Sequence, residues 1–229
     1  MSKLIPDSAR CPACGLDQGV TVFFSLNGER VEHQVRQIVD GTFEQIPCSG
    51  CGAAFRPEHR MLYSHFTQRT WIVMHPLADR PQHAVLERGV EIVLAEQFGY
   101  APRMVADGLA GARPRLVFGQ HMLSEAVRLA EERIDPALLE GAKLFAIRRN
   151  ISRLGALPPF ELCYEGTEPS VEQRLAIHAL AGLERFGELH LPADALAEAH
   201  AAQPELAARY PELFERPYVS ATRYLFATG

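Results

Sequence analysis

Two short runs constrain this chain more than anything else in it: Cys11-Pro12-Ala13-Cys14-Gly15 and Cys48-Ser49-Gly50-Cys51-Gly52. Of five cysteines, four stand in these two pairs. Two cysteines three apart on a tight turn present both sulfurs to one cation, and two such turns complete a tetrahedron of thiolates around Zn²⁺ at about 2.3 Å. The chain doubles back just after the second cysteine of each pair, where a backbone with φ > 0 favours glycine, and Gly15 and Gly52 occupy those positions. Pro12 presets φ inside the first turn. The spacing therefore assigns Cys11, Cys14, Cys48 and Cys51 as ligands of one structural zinc.

Two other uses of cysteine fit less well. A redox pair with a lowered first pKa normally occurs singly and opens a helix after a strand, whereas here the motif is duplicated with a glycine after each copy. Disulfides suit an oxidising compartment. The start of the chain, Met1-Ser2-Lys3-Leu4-Ile5-Pro6-Asp7, carries no apolar signal core, so a cytosolic protein with reduced thiols is expected.

Thirty-three residues separate Cys14 from Cys48, against about 15–20 in the compact four-cysteine pattern. An element must be inserted between the knuckles. Residues 19–26 are β-branched and aromatic and read as a strand, and Asn27-Gly28 turns the chain. Val31, Val35, Ile38 and Val39 recur at helical spacing, which predicts a short amphipathic helix over 30–39. Gly41 stops it, and 42–47 reads as a strand into the second knuckle. Two further strands are expected near 61–66 and 70–74.

At these residues the chain resembles the CpXC-domain proteins, a bacterial and archaeal family named for its paired cysteine knuckles. The run Gly41-Thr42-Phe43-Glu44-Gln45-Ile46-Pro47 with its following Cys-Ser-Gly-Cys-Gly is similar to the family's second knuckle. Met61–Tyr63 through Arg69–Val73 resembles the strand pair after it, and Arg115–Gly119 a later family segment. The likeness extends over roughly residues 1–150. It implies a zinc-binding ribbon and is silent on activity. Ser49 departs from the family's preference for proline there, which softens the turn and leaves ligation alone.

Beyond the ribbon the pattern changes. Pro76 and Pro81 bracket a linker. Leu86, Val90, Val93, Leu94 and Phe98 form one face of a helix over 82–98. The stretch 99–114 is rich in Gly, Ala and Pro and allows a short helix at most. Leu116–Phe118 is a brief strand. Leu123, Ala126, Val127, Ala130 and Ile134 repeat at helical spacing. Asp135-Pro136 then opens another helix, out to about Asn150, with Asp as cap and Pro where its missing N–H costs nothing. In the last third, 160–164, 174–179 and 186–191 read as an antiparallel meander. Helices are expected over 192–202 and 204–214, with a short one near Ser220. The fold class is thus α+β: a zinc-ribbon-like β module with an inserted helix (1–76), a helical middle (77–156), and a small antiparallel sheet with C-terminal helices (157–229).

Charge narrows the function. The net charge is −5, and the last third carries five Lys/Arg against eleven Asp/Glu. No basic stripe of the kind that binds phosphate backbones is present. No run of about 18 apolar residues exists, so no membrane span is expected.

Several side chains invite a chemical reading beside a plain one. His33, His59, His65, His75 and His83 lie in or near the zinc module, and a catalytic metal would need three of them and an open position; scattered histidines are more often surface or hydrogen-bonded core groups. His83 with Glu87, and His121 with Glu125, are i, i+4 pairs that suit an interhelical metal site, although glutamate is favoured in a first helical turn anyway. Arg148, Arg149 and Arg153 are the densest basic cluster, at a helix C-terminus where cations are favoured. Phe23, Phe24, Phe43, Phe55, Tyr63, Phe66 and Trp71 lack the interleaved basic residues of a base-stacking face and read as ribbon core. Cys163 stands alone on an expected strand, with no His–Asp support for a nucleophile.

The expected function is a non-enzymatic cytosolic protein whose structural zinc stabilises a ribbon presented to another protein. Two alternatives remain open at this level: a nucleic-acid-associated zinc ribbon, and an enzyme with a second site between ribbon and helical body. No catalytic residues are assigned, and the sequence leaves oligomeric state and partner identity open.

Overall fold

A computed structural model describes residues 2–100, 107, 112–167, 173–180 and 184–225. The chain divides into two compact units, Met1–Val127 and Arg128–Gly229. The α+β architecture expected from the sequence is the one observed, with a sheet at the N-terminus, helices in the middle, and a small antiparallel sheet with helices after it.

The first unit is built on a five-stranded sheet of order β1-β2-β5-β6-β7. Strands β1 (Lys3–Arg10) and β2 (Asp17–Asn27) form an antiparallel hairpin whose register runs from Lys3↔Ser25 to Arg10↔Asp17. β2 meets β5 (Met61–His65) in parallel only over Ser25–Asn27. The rest of the hairpin therefore runs on past the sheet as a two-stranded ribbon with the first knuckle at its tip.

β1 has no signature in the sequence reading, for a physical reason. Its residues are almost all exposed, and Pro6 sits in its middle, where a strand pattern is broken unless the strand is an edge. It is an edge. Pro6 has no N–H to offer, and the N–H of Ser8 is taken by the Asp7 carboxylate at 2.8 Å, so the outer rim of the sheet is poor in free donors.

The insertion between the knuckles begins with a 3₁₀ turn, Gly28–Arg30, followed by helix α1 (Glu32–Val39), which buries Val35 and Ile38. The helix expected over 30–39 thus runs over Glu32–Val39, with the 3₁₀ turn ahead of it. The expected strand over 42–47 is shorter than the sequence suggests. Only β3 (Ile46–Pro47) is extended, pairing with β4 (Ala54–Phe55) in a hairpin that carries the second knuckle. Residues 42–45 instead wrap back on the helix end: the N–H groups of Thr42 and Phe43 both bond the Gln37 carbonyl, at 2.8 and 3.0 Å. Gly41 at φ 70° and Glu44 at φ 52° make the reversal possible. Phe43 is driven into the core by it, 1% exposed and stacked on Phe23 with ring centroids 5.7 Å apart.

The sheet does not end with β5 and β6 (Thr70–His75). After helix α2 (His83–Tyr100) the chain returns as β7 (Pro114–Phe118), parallel to β6 from Trp71↔Pro114 to His75↔Phe118. Parallel neighbours require such a crossover. These central strands are buried through Ile72, Val73, Met74, Leu116, Val117 and Phe118. Most of the Gly-, Ala- and Pro-rich stretch over 99–114 lies outside the described residues. Helix α3 (Gly119–Glu132) follows β7 directly.

The second unit contains helix α4 (Pro136–Arg149), opened as expected by Asp135, whose carboxylate accepts the Ala137 N–H at 2.8 Å, with Pro136 at its first position. A single turn, α5 (Ile151–Leu154), leads to the antiparallel sheet β8 (Phe160–Thr167), β9 (Gln173–Ala179) and β10 (Arg185–Leu191), in the order β10-β9-β8. Leu139, Leu175, Ile177, Leu191 and Ala199 lie among the residues of its core. The C-terminal helices are α6 (Ala195–Ala201), α7 (Gln203–Arg209), α8 (Glu212–Glu215) and α9 (Thr222–Leu225). The helix expected over 204–214 is interrupted because Pro211 cannot continue α7 and instead caps α8.

Between α8 and α9 the chain is irregular yet Tyr218, Val219, Ser220 and Ala221 are all buried. A buried irregular segment needs side-chain partners for its polar groups. Glu140 accepts the Ala221 N–H at 2.6 Å and pairs with Lys143 at 2.6 Å, and Glu161 accepts the Ser220 hydroxyl at 2.9 Å.

Candidate metal centre

The two knuckles are near copies of one another. In the first, the Cys11 N–H donates to the Leu16 carbonyl at 2.8 Å and the Gly15 N–H to the Cys11 carbonyl at 2.9 Å. In the second, Cys48 N–H donates to Ala53 at 2.8 Å and Gly52 N–H to Cys48 at 2.9 Å. Gly15 and Gly52 both adopt φ 74°. The duplicated Cys-x-x-Cys-Gly run therefore encodes one turn used twice, at the tips of the β1–β2 and β3–β4 hairpins.

These turns bring all four cysteines together. Their sulfurs lie within 4.8 Å of one another, with Cys11 Sγ to Cys51 Sγ at 3.8 Å and Cys14 Sγ to Cys48 Sγ at 3.6 Å. A tetrahedron with metal–sulfur arms of about 2.3 Å has edges of about 3.8 Å. A disulfide would bring two sulfurs to about 2.05 Å, and all five cysteines are free thiols. The donor set and its spacing fit a tetrahedral metal ion, and the four residues can hold one.

Electrostatics point the same way. The Cys48 thiol is pulled down to about 6 by the backbone N–H groups of Cys51 and Gly50 aimed at its sulfur. The Gly50 N–H lies 3.4 Å from that sulfur. Cys14 receives a similar lowering contact from the Leu16 backbone, yet the neighbouring thiols of Cys48 and Cys51 push it up to about 12. Four sulfurs this close cannot all become anionic without a counter-charge among them, which a divalent cation would supply.

Burial is uneven within each knuckle. Cys11 and Cys48 are 1% and 3% exposed and pack with Phe55, flanked by Ala9 and Ile46. Cys14 and Cys51 face solvent. Each turn thus places one sulfur inside and one outside.

A set of contacts not anticipated from the sequence ties the knuckles to each other. Gln18, at the base of the first, reaches across to the second: its Nε2 donates to the Pro47 carbonyl at 3.3 Å, and its Oε1 accepts from the Ser49 N–H at 2.8 Å and the Ser49 hydroxyl at 3.1 Å. Proline at position 49 has no N–H and no hydroxyl, so neither bond to Oε1 is open to it. Ser49 does more than relax the turn. Leu16 completes the joint. A Cβ on Gly50 would stand 2.8 Å from Leu16 Cδ2, so a side chain there would displace the tip of Leu16 from the joint. The signal in the sequence was the serine itself, a donor at a place where the ribbon otherwise needs none.

A second polar lock anchors the loop between α1 and β3. Glu44 accepts the Phe23 N–H at 2.6 Å with one oxygen and pairs with His59 Nε2 at 2.6 Å with the other, both side chains being buried. Burial pulls the His59 pKa down, but the Glu44 hydrogen bond and charge outweigh it and leave the group above its usual 6.5.

The remaining histidines disperse. His65 stands 3.7 Å from Glu29 and His75 3.3 Å from Asp79, while His33 is exposed on α1. Burial lowers the His75 pKa, partly offset by the Asp79 bond. Among the described residues, the four cysteines are the one group of three or more metal-ligating side chains within reach of a single ion, and neither His83–Glu87 nor His121–Glu125 joins such a group. Arg148 bonds the Tyr210 hydroxyl at 2.8 Å, Arg149 grips the Glu198 carboxylate at 2.7 and 2.8 Å, and Arg153 bonds the Glu188 carbonyl at 3.2 Å. Phe43, Phe55, Tyr63 and Trp71 are buried, as ribbon and sheet core. Phe24 is 45% exposed, with the Lys3 ammonium 5.5 Å from its ring centre. Cys163 is buried in β8.

Two matched knuckles at hairpin tips, four thiols at tetrahedral spacing and a sheet behind them define a two-knuckle metal-site protein. A family described as CpXC protein matches residues 9–143, and the chain belongs to that family. Comparison with curated proteins and with solved structures returns no significant match. No helix among the described residues is long and apolar enough to cross a membrane.

Proposed function

We propose that Cys11, Cys14, Cys48 and Cys51 bind one structural Zn²⁺ and that the ribbon so formed serves as a non-enzymatic docking module for another protein. Four thiolates and no other ligand type suit zinc in a reducing compartment such as the cytosol. The single observation that carries the reading is the set of sulfur–sulfur distances, 3.6 and 3.8 Å between partners on opposite knuckles. Leu4, Leu16 and Phe24, all on the β1–β2 hairpin, are among the exposed large apolar side chains; Leu16 stands at the knuckle end and Leu4 and Phe24 at the sheet end, so they offer a partner apolar contact along the hairpin. With four thiolates around it the ion has no open position for a substrate, which sets this centre apart from catalytic zinc.

Metal analysis of the full chain purified under reducing conditions tests the metal. One zinc per chain, lost on chelation together with the fold of the ribbon, is the expected result. A chain that purifies without metal and with its knuckles oxidised ends the reading. Co-purification from the native cell, repeated with Leu4→Asp and Phe24→Asp, tests the docking surface: the partner is lost while zinc content is unchanged.

A further inference from the structure

We propose that the metal centre is also a peroxide-responsive switch, in which the two outward sulfurs, Cys14 and Cys51, are oxidised to a disulfide that takes over from the metal as the link between the knuckles. The proposal rests on the zinc reading above. Its own basis is the division of sulfurs within each turn: Cys11 and Cys48 are sealed beneath Phe55, while Cys14 and Cys51 reach solvent. With zinc bound all four sulfurs are thiolates, so exposure decides which of them an oxidant reaches, and attack falls on the outer pair. That pair contains one residue from each knuckle. Its product therefore joins the two hairpins and does not close a loop within one turn.

The chemistry balances with a peroxide as the named oxidant. One outer thiolate attacks a peroxide oxygen, the O–O bond breaks, hydroxide leaves, and a sulfenic acid remains. The other outer thiolate attacks that sulfur, the S–S bond forms and a second hydroxide leaves. Two thiolates have then given up two electrons and hydrogen peroxide has become two hydroxides. All four sulfurs lie within 4.8 Å of one another, so closing the bond to about 2.05 Å needs only a small shift of two side chains at the protein surface. Cys11 and Cys48 remain as the only ligands, half of a tetrahedral set, and the site's hold on the ion is lost.

The joint between the knuckles makes this a reversible change. Gln18 holds Pro47 and Ser49 through three hydrogen bonds that involve no sulfur, and Leu16 covers Gly50. With the disulfide in place of the metal, these contacts keep the inner sulfurs facing each other, ready to bind again after reduction. Removing the metal by chelation from the reduced chain lacks that substitute link. The two routes to the metal-free state should differ in shape.

The test uses the full chain, with zinc content measured first. Hydrogen peroxide is then added with a chromogenic zinc indicator, and the disulfides are mapped by peptide mass spectrometry. The expected result is stoichiometric zinc release, a dominant Cys14–Cys51 disulfide, and full reloading after dithiol reduction. Cys163, buried in β8, stays unmodified and reports that the second unit remains folded. A Gln18→Ala chain should release zinc to the same extent but reload about tenfold more slowly, since losing the staple lets the knuckles drift apart. A chain with less than one zinc before peroxide defeats the zinc reading itself. A fully loaded chain that keeps its zinc through excess peroxide, or that forms only Cys11–Cys14 and Cys48–Cys51, or goes straight to sulfinic acids, overturns the switch alone.

Discussion

The knuckle end of the first unit and the body of the second solve one problem, holding the chain together, by opposite means. Around the knuckles the buried apolar cluster is Cys11, Cys48 and Phe55. In the second unit it runs from Leu129 to Leu206 across five helices and all three strands of the meander. Hydrophobic burial contributes about 25 cal/mol per Å², and a cluster of three residues buries too little to offset the entropy of ordering two hairpins. The knuckles carry cross-linking groups instead: four thiols placed to hold a metal ion, and the side-chain joint of Gln18 with Ser49. The second unit needs neither.

The contrast makes definite statements about what each region tolerates. The largest effect is expected from chelation under reducing conditions. Four-thiolate zinc is worth about 10–16 kcal/mol apparent in small domains, so hydrogen exchange should show the region around both knuckles losing protection while Arg128–Gly229 keeps its own. Equal loss in both units would erase the distinction.

Next comes Glu140→Ala. It removes the buried carboxylate that both the Lys143 ammonium and the Ala221 N–H bond. Breaking a buried pair from one side costs about 3–5 kcal/mol, read as a lowered urea midpoint for the second unit with zinc content untouched. Leu175→Ala in the same core should cost about 2–5 kcal/mol by cavity formation, again without moving the metal.

Smaller effects return to the first unit. Gln18→Ala removes three hydrogen bonds at a partly exposed site and should cost the zinc-loaded ribbon about 1–2 kcal/mol. Ser49→Pro should approach the same loss, and the double variant should lose little more, because both changes break the same joint. Full additivity would mean that the two side chains act separately.

The smallest is the pH dependence from His59. Its folded-state pKa lies above 6.5, so the Glu44–His59 pair contributes stability that is fully present below pH 6.5 and fades as pH rises through the folded value. Thiolate ligation works in the opposite sense, since metal binding strengthens as pH rises. The pair is therefore read as the difference in unfolding midpoint between wild type and Glu44→Gln at saturating zinc. That difference should shrink from pH 6 to pH 9.

How much of this was legible beforehand follows from the range of the forces involved. The knuckles are local: Cys-x-x-Cys-Gly specifies its own turn, and the duplicated spacing predicted that the four cysteines meet. The cap at Asp135-Pro136 and the three strands of the meander are local too. What escaped depends on distant partners. β1 is a strand only because β2 lies beside it. The short β3 follows from Glu44, a non-glycine residue at positive φ held by Phe23 and His59 from elsewhere in the chain. That β7 joins the ribbon's own sheet cannot be read from Leu116–Phe118, because parallel pairing leaves no mark on the segment that pairs. Gln18 reads as an ordinary polar strand residue until Ser49 is placed opposite it.

The rim formed by β1 carries a last consequence. Many adaptor proteins recruit extended peptides by letting them lie alongside an open strand, and the same openness invites copies of a protein to stack into fibrils. Here proline and an aspartate folded onto its neighbour's amide blunt that invitation. The β1 rim is therefore a poor template for an extended peptide or a second copy of the chain, and the docking proposed for the hairpin would fall to its side chains.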